Sequence, residues 1–518
     1  MGLLTTYGGP WTRREASHFL RRTCFGATPT QVQKAVNDGL NATVATLFAT
    51  REAPPPPVDP DTGVSFITGP FDPLKNNGLY QRYIKAWWAD LMVADPISIR
   101  EKLTLFWSNH FSTEMQVVQD SRMSFTLLAY LRANGLKGFK DMVRFVTIDA
   151  AMLRYLNGDT NTKGSPNENY ARELQELFTI GKGPEAAPGD YTFYTEQDVQ
   201  AAAKVLTGWR PSRQTGLVAF SPQQHDTTSK QFSARYQSKL IQGKTGPNAG
   251  LDELNELLDM IFAQAEVSRF IVRKLYRWFV NSELTAEIEA GVIEPLAQTL
   301  RQNGFVIEPI LKTLLASEHM FTAEIIGAQL RSPADFIVGI LRNMPILVVP
   351  TELTARFNFF NTLQTSLAAQ QMDLNEPPNV AGWAAYYQTP DFYRVWLTTV
   401  TLPTRNGYSD GLVAGSRQGR NGILSTVDFV LTITSAEDPY VMVDEINATF
   451  FALPFSEDQR ERLVKDILQG GTAPDYEWTT QWQAFVAEPT NQGNRNALKV
   501  KLDAFFKYLF RMAEYQLF

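Results

Sequence analysis

Apolar residues recur along most of the chain at intervals of three and four, which is the spacing of one face of an α-helix. Two runs keep this spacing over several turns, namely Val267, Phe270, Ile271, Leu275, Trp278 and Phe279, and then Phe505, Phe506, Leu509, Phe510 and Met512. Sustained alternation of apolar and polar residues, which would predict strands, is rare. The pattern therefore predicts a mainly α protein with one large multi-helix body.

Capping-box signals mark where several of these helices begin. In this motif a Ser or Thr is followed three residues later by an acidic residue or Gln, and each side chain bonds the other residue's backbone amide. Three of the signals also carry Pro at the first helical position. The predicted helix starts are Thr12…Glu15, Thr28…Gln31, Ser165…Glu168, Thr195…Asp198, Ser332…Asp335 and Ser456…Gln459.

Three segments interrupt the helical pattern. Residues 51–76 are rich in proline and predict an extended arm that leads into a helix around Trp87. Residues 212–245 lose the helical spacing, and we expect 217–220 to pair with 239–241 in a small β-hairpin. Residues 373–422 predict a long irregular loop that lies over a site. We divide the chain into a main helical domain, 1–422, and a C-terminal helical subdomain, 423–518.

Composition and charge exclude some classes of function. The chain has 518 residues, a formal net charge of −6 and a pI near 5.5, which argues against broad binding to nucleic acid or to an anionic membrane. Cys24 is the single cysteine, so neither an intrachain disulfide nor a cysteine-based zinc site can form. No apolar run approaches the roughly 20 residues that span a bilayer. Residues 1–6 lack the pattern of a secretory signal, so we expect a cytoplasmic protein or one whose leader has been removed.

The most informative stretch is 166–178, PNENYARELQELF, because it places three carboxylates on the first turns of one apolar helix. Asn169 and Glu173, four residues apart, flank the apolar stripe. A carboxylate at the edge of a buried stripe costs free energy unless it is paired or bound, so these two residues are functional candidates. The other faces have simpler interpretations: Tyr170, Leu174, Leu177 and Phe178 form the core face, and Glu168, Arg172 and Glu176 form a solvated ion-pair row.

Four histidines limit the choice of a neutral metal ligand or general base. His110 follows several aromatic residues in FWSNHF, where the alternative is a packed core residue. His225 and Asp226 lie in the non-helical segment 212–245, and polar loop residues often serve function, although a local turn role is the alternative. His18 and His319 fall in helical patterns and are expected to be structural.

Two weaker motifs have simpler explanations. Asn157, Asp159, Asn161 and Glu168 match the spacing of oxygen ligands in an EF-hand calcium loop. Thr162 replaces the glycine that the sharp turn of that loop requires, so an Asx-rich turn between two helices is the favoured interpretation. Residues 407–411 spell the G-x-S-x-G nucleophile elbow, but no histidine follows His319, so the usual Ser, acid, His order is impossible.

The stretch 166–178 resembles the signature of the bacterial family catalogued as domain of unknown function 1800, and the resemblance covers essentially the whole chain. Further matching blocks, in chain order, are ASHFLRRTCFG (16–26), FWSNHF (106–111), LRYLNG (153–158), YTEQDV (194–199), LTGW (206–209), HD (225–226), PPNVAGW (377–383) and EYQ (514–516). The resemblance implies that many relatives are exported and encoded beside a sulfatase-like partner protein. It favours a functional role for residues that fall inside its blocks, namely His110, Glu173, His225 and Asp226, but it implies no agreed activity.

We expect His110, Asn169, Glu173, His225 and Asp226 to gather in one polar site. The predicted ligands of a divalent metal (zinc, manganese or iron) are His110, His225, Glu173 and Asn169. Glu173, His225 and Asp226 are the predicted catalytic residues, with metal-assisted hydrolysis favoured over oxidation. Trp209 and Trp383 are candidates for the walls of a substrate pocket, or for aromatic core.

The competing hypothesis is a non-catalytic helical scaffold or accessory protein that binds a partner or an envelope polymer. The polar blocks would then be internal hydrogen-bond networks that fix how the helices pack.

Overall fold

The computed structural model describes residues 2–76, 78–187, 190–344, 349–415, 424–474 and 476–518. Helices dominate these residues, which confirms the predicted mainly α class. In chain order the α-helices are α1 (Arg13–Thr23), α2 (Pro29–Leu47), α3 (Leu79–Ala94), α4 (Arg100–His110), α5 (Met115–Val118), α6 (Ser121–Asn134), α7 (Phe139–Thr147), α8 (Ala150–Tyr155), α9 (Asn169–Glu173), α10 (Glu196–Val205), α11 (Ala249–Phe262), α12 (Ala265–Phe279), α13 (Ala286–Ile288), α14 (Glu294–Gln302), α15 (Ile307–Leu315), α16 (Pro333–Asn343), α17 (Leu353–Ala369), α18 (Thr401–Ala414), α19 (Thr426–Val430), α20 (Pro439–Phe450), α21 (Glu457–Arg462), α22 (Glu477–Ala487) and α23 (Gln492–Arg511).

The strands of the described residues form three small antiparallel pairs: β1 (Glu185–Ala187) with β2 (Asp190–Tyr191), β3 (Trp209–Pro211) with β4 (Val218–Phe220), and β5 (Lys230–Gln231) with β6 (Leu240–Ile241). The predicted β insertion is present, but the predicted pairing of 217–220 with 239–241 is wrong. Each strand pairs instead with a nearer one, because a shorter loop costs less entropy to close. Gly216, with φ of 74°, allows the tight turn before β4.

Helix starts follow the sequence closely. Five of the six predicted capping boxes are confirmed, those of α1, α2, α10, α16 and α21. The segment 373–422 is not wholly irregular, because α18 occupies 401–414. The buried residues of α18 keep the helical spacing, and they are Arg405, Tyr408, Leu412 and Val413. Because α18 packs against α23, the burial of these side chains outweighs the helix-breaking effect of its two glycines.

A hydrophobic core runs through the described helices, with Trp88, Trp107 and Trp478 among its largest fully buried side chains. Residues beyond 423 pack on earlier ones: the Arg21 guanidinium, for example, donates hydrogen bonds to the carbonyls of Thr449 and Phe451. The predicted boundary between 422 and 423 lies outside the described residues, so the division into two domains stays a prediction. In the described part of the chain, no helix combines the length and the apolar character needed to cross a membrane.

The loop after α17 crosses the C-terminal end of α4. The Trp383 amide donates to Asn109 Oδ1 at 2.8 Å, and Ser108 Oγ donates to Asn375 Oδ1 at 3.3 Å. Gly382 lies against the same asparagine with φ of 88°, and a Cβ at this position would sit 2.3 Å from Asn109 Oδ1. Only glycine fits such a close approach, so this contact fixes the position of the loop relative to α4.

Candidate functional site

The signature helix changes its geometry halfway along. Residues Asn169–Glu173 form α9, and Leu174–Thr179 continue it as a π-helix, which we call the signature π-helix. The predicted capping box of Ser165 and Glu168 is wrong, because the helix begins only at Asn169. The Asn167 side chain accepts the Asn169 amide at 3.0 Å instead, and Ser165 forms a β-bridge with Thr162. π-turns are uncommon and are frequently found at functional sites.

His110 and Lys274 bind the carbonyls at the end of the signature π-helix. His110 Nε2 donates to the Phe178 carbonyl at 3.1 Å, and Lys274 Nζ donates to the Leu177 carbonyl at 3.1 Å and to His110 Nδ1 at 3.2 Å. Burial and the neighbouring Lys274 charge hold the pKa of His110 well below its usual range. Burial lowers the pKa of Lys274 to about 7, with a further contribution from Arg277. Both nitrogens of the imidazole are thus engaged.

His225 belongs to a second, buried cluster. Its Nδ1 donates to the Thr207 carbonyl at 3.0 Å, and its Nε2 lies 3.2 Å from Glu253 Oε1. The other Glu253 oxygen forms a 2.6 Å ion pair with Lys230, and both side chains are fully buried. We call His225, Lys230 and Glu253 the buried triad.

Asp226 lies beside the buried triad but makes mainly local contacts. Its carboxylate accepts hydrogen bonds from the amide and hydroxyl of Thr228, and its own amide donates to Thr207 Oγ1 at 2.8 Å. Burial raises the pKa of Asp226, but the bonds from Thr228 outweigh burial and leave that pKa below its ordinary value. The local turn role that was the alternative for Asp226 accounts for its bonds with Thr228, while the bond to Thr207 ties this turn to the end of α10.

Glu173 differs from the predicted catalytic residues His225 and Asp226, because its half-buried carboxyl has no hydrogen bond or ion pair with any described residue. Burial, and next the charge of Glu176, raise its pKa to about 7. Its neighbour on the helix, Arg172, turns away from the core face, as the helical spacing predicted. It forms a bidentate ion pair with Glu196 in α10, which the spacing did not predict. Asn169 lies one turn before Glu173 with an exposed side chain.

Tyr155 interacts with three carboxyl groups, with one of them through a hydrogen bond. Its hydroxyl donates to Glu114 Oε1 at 2.8 Å. Burial raises the pKa of Tyr155, and so do the charges of Glu114, Glu376 and Glu173. We call these four residues the Tyr155 cluster. Burial also raises the pKa of Glu376 to about 7, against the opposing charge of Lys85 at 3.8 Å.

Sequence reasoning missed three members of the Tyr155 cluster. Tyr155 sits inside the block LRYLNG, and Glu376 directly precedes the block PPNVAGW, so their positions offered a signal. Glu114 offered none, because it is a lone acid at the start of a four-residue helix.

The predicted single site is divided in the structure. No hydrogen bond, ion pair or ring contact among the described residues joins His110, His225, Glu173 and Asn169 to one another. Nor do the described residues contain any group of three His, Cys, Asp or Glu that could hold a metal ion. A metal-binding histidine needs one free ring nitrogen. His110 has none, whereas His225 Nε2 forms no hydrogen bond with a described residue and lies 3.2 Å from Glu253 Oε1. His110 therefore does not fit as a ligand in this arrangement, and the role of His225 as a ligand stays a prediction.

The remaining predicted residues are distributed as follows. Trp209 and Trp383 are both buried, and Trp209 packs on Phe220 at 5.0 Å between ring centroids. In the calcium-like loop, the Asn161 amide group donates to Ala203 O and accepts from Asn167 N, while Glu168 pairs with Arg172 at 3.4 Å. Asn157 is exposed and Asp159 half-buried. An Asx-rich turn accounts for this loop.

Comparison with known proteins gives a family but no activity. Searches of curated proteins and of solved structures found no match. A family model described as protein of unknown function (DUF1800) matches residues 18–517. The match takes in both histidine clusters, the signature helix and the Tyr155 cluster. The chain therefore belongs to the DUF1800 family.

Proposed function

We propose that the protein is a hydrolytic enzyme of the general acid–base type, with the Glu173 carboxyl as the proton-transfer group. The observation that carries this proposal is the unpaired, half-buried state of that carboxyl within the Tyr155 cluster. A carboxyl group that is partly desolvated and free of partners can take a proton from an attacking water and return it to the leaving group. Raised pKa values near neutrality at Glu173 and Glu376 suit this exchange at physiological pH.

The surroundings of Glu173 supply binding groups. Asn169 presents an exposed amide one turn away, and Glu376 offers a second carboxyl that Lys85 and the Gln116 amide hold in place. His110 and Lys274 serve this site indirectly, because they fix the carbonyls at the end of the signature π-helix that carries Glu173 at its start. We expect a substrate with polar groups, such as a sugar or a peptide, which these side chains could bind through hydrogen bonds.

A divalent metal stays a prediction. His110 has no free nitrogen in this arrangement, and His225 belongs to the buried triad, so a metal at Glu173 would depend on carboxylate and amide oxygens. Elemental analysis of protein purified without a metal-affinity tag measures the metal directly. Near-stoichiometric zinc, manganese or iron that falls in a folded Glu173→Gln variant would place the metal at this residue.

The test of the acid–base proposal compares three proteins on a panel of nitrophenyl esters, phosphates and glycosides. Glu173→Gln removes the exchangeable proton with little change of shape, and we expect its rate to fall by about 10²–10⁴-fold on the substrate that the wild type hydrolyses. Glu168→Gln is the matched control, because Glu168 is on the same helix start and forms only a surface pair with Arg172. The proposal fails if the wild type and Glu173→Gln hydrolyse every substrate of the panel equally.

One observation favours the scaffold as a second candidate. His110, His225 and Asp226 all complete internal hydrogen-bond networks, which is what a non-catalytic protein would need from them. Such a protein would bind a partner, for instance the sulfatase-like protein of the family resemblance, or an envelope polymer. Co-sedimentation with purified cell-wall polysaccharide tests this, and binding that survives Glu173→Gln without any hydrolysis would favour the scaffold.

A further inference from the structure

Asp335, at the start of α16, is a single carboxylate among several buried cations. It forms an ion pair with Lys102 and accepts a hydrogen bond from Ser332 Oγ at 2.7 Å. Its charge also acts on the guanidinium groups of Arg22 and Arg405, both of which are fully buried. One negative charge therefore faces three positive charges in the interior.

The hydrogen bonds of the two arginines do not neutralise their charge. Arg22 Nη2 donates to the Ile325 carbonyl, while its Nε and Nη1 have no hydrogen-bond partner among the described residues. Arg405 donates to Gln516 Oε1 and to the Arg331 carbonyl, which are neutral acceptors. Charges in a low-dielectric interior cost free energy unless an opposite charge pairs with them.

Arg277 adds a fourth cation. Its guanidinium lies 5.2 Å over the Phe392 ring, forms no hydrogen bond or ion pair with a described residue, and has a buried Nε without a partner. Arg277, Lys102, Asp335, Ser332 and Ser282 line one small cavity of about 20 Å³. A cavity of this size holds about one water molecule, and so also one monatomic ion.

We infer that this cavity binds a small inorganic anion of the size of chloride, held chiefly by Arg277 and Lys102. The surplus of positive charge around Asp335 supplies the attraction, and the Ser282 hydroxyl is available to donate a hydrogen bond. The cavity volume excludes large organic anions. This site is independent of the acid–base function proposed for Glu173.

Thermal unfolding in two salts of equal ionic strength tests the site. Chloride is the probe, and gluconate, which is too large for the cavity, replaces it. A ligand that binds only the folded protein raises the midpoint temperature of unfolding in proportion to the logarithm of the ligand concentration. For this chain we expect a rise of about 1–2 °C for each tenfold increase in chloride above its dissociation constant. Equal midpoints in the two salts at every concentration would overturn the proposal and leave water as the occupant.

Two arginines on α12 give a matched pair of variants. Arg277→Gln removes an anion-binding charge, and we expect it to abolish the chloride dependence and to unfold at a higher temperature than the wild type in gluconate. Arg273→Gln is the control, because Arg273 already pairs with Glu266 and Glu289. It should lower the midpoint in both salts equally and keep the chloride dependence. A purely structural Arg277 would behave like Arg273, which would contradict the proposal.

Chloride-35 NMR provides a readout that does not depend on unfolding. We expect the wild type and Arg273→Gln to broaden the chloride line, and Arg277→Gln and Ser282→Ala to broaden it less. Broadening that is the same for all four proteins would show that chloride does not enter this cavity.

Discussion

The buried triad gives the sharpest test of how this fold tolerates internal charge. Lys230→Met removes the partner of Glu253, whose carboxylate would then remain fully buried beside His225. Breaking a buried ion pair by removing one partner typically costs about 3–5 kcal/mol, because the remaining charge is left uncompensated. We therefore expect the free energy of unfolding to fall by about that amount, as measured by urea denaturation followed by circular dichroism.

A double variant separates lost charge pairing from lost packing. Glu253→Gln keeps an oxygen that can accept the Lys244 amide, which donates to Glu253 Oε1 at 2.7 Å, and removes the charge. Lys230→Met combined with Glu253→Gln should thus be more stable than Lys230→Met alone.

A surface pair of equal length serves as the control. Lys34 and Asp38 are also 2.6 Å apart but exposed, so Lys34→Met should cost only about 0.3–0.5 kcal/mol. Our reasoning would be refuted if Lys230→Met cost no more than Lys34→Met, or if the double variant were the least stable of the set.

Three further predictions follow from single side chains. The pKa of Glu173 is raised from 4.5 to about 7, so the protonated carboxyl stabilises the folded protein. This stabilisation is complete below pH 4.5 and is lost as the pH rises through 7. Glu173→Gln should therefore flatten the dependence of the unfolding temperature on pH between these two values. His110→Phe keeps an aromatic ring but removes the hydrogen bond to the Phe178 carbonyl at the end of the signature π-helix and the one from Lys274. Urea denaturation should show a loss of about 2–4 kcal/mol. Gly382→Ala forces a Cβ against Asn109 and should speed proteolysis of the loop after α17. Gly407→Ala is the contrasting variant, because Gly407 lies on the exposed face of α18 with open space around it. It should stabilise the protein by about 0.5–1 kcal/mol.

Local signals in the sequence predicted local structure well. Capping boxes located five helix starts because the side chains that form them are three residues apart and need no other part of the fold. The box at Ser165 failed since Asn167 offered a nearer acceptor for the first helical amide. Strand pairing failed for a related reason: periodicity shows where strands occur, while loop closure decides which strands meet.

The candidate site was predictable only in part. The position of Glu173 at the edge of the apolar stripe predicted a half-buried carboxyl, and that carboxyl is unpaired. Its surroundings were not predictable, because Glu114, which accepts from the Tyr155 hydroxyl, and Glu376, whose charge acts on Tyr155, come from segments far apart in the chain. The two histidines were assigned to one site from residue type, loop position and the family blocks, but one ring bonds the Phe178 carbonyl and the other the Thr207 carbonyl.

The signature π-helix holds one residue more than an α-helix of the same length would need. If residues 174–179 rewound as an ordinary α-helix with none of them deleted, everything before the segment would rotate by about 100° relative to everything after it. Glu173 would then swing away from Tyr155, although no side chain of the Tyr155 cluster had been altered. The way in which this segment winds, as much as its composition, decides which way the Glu173 carboxyl faces.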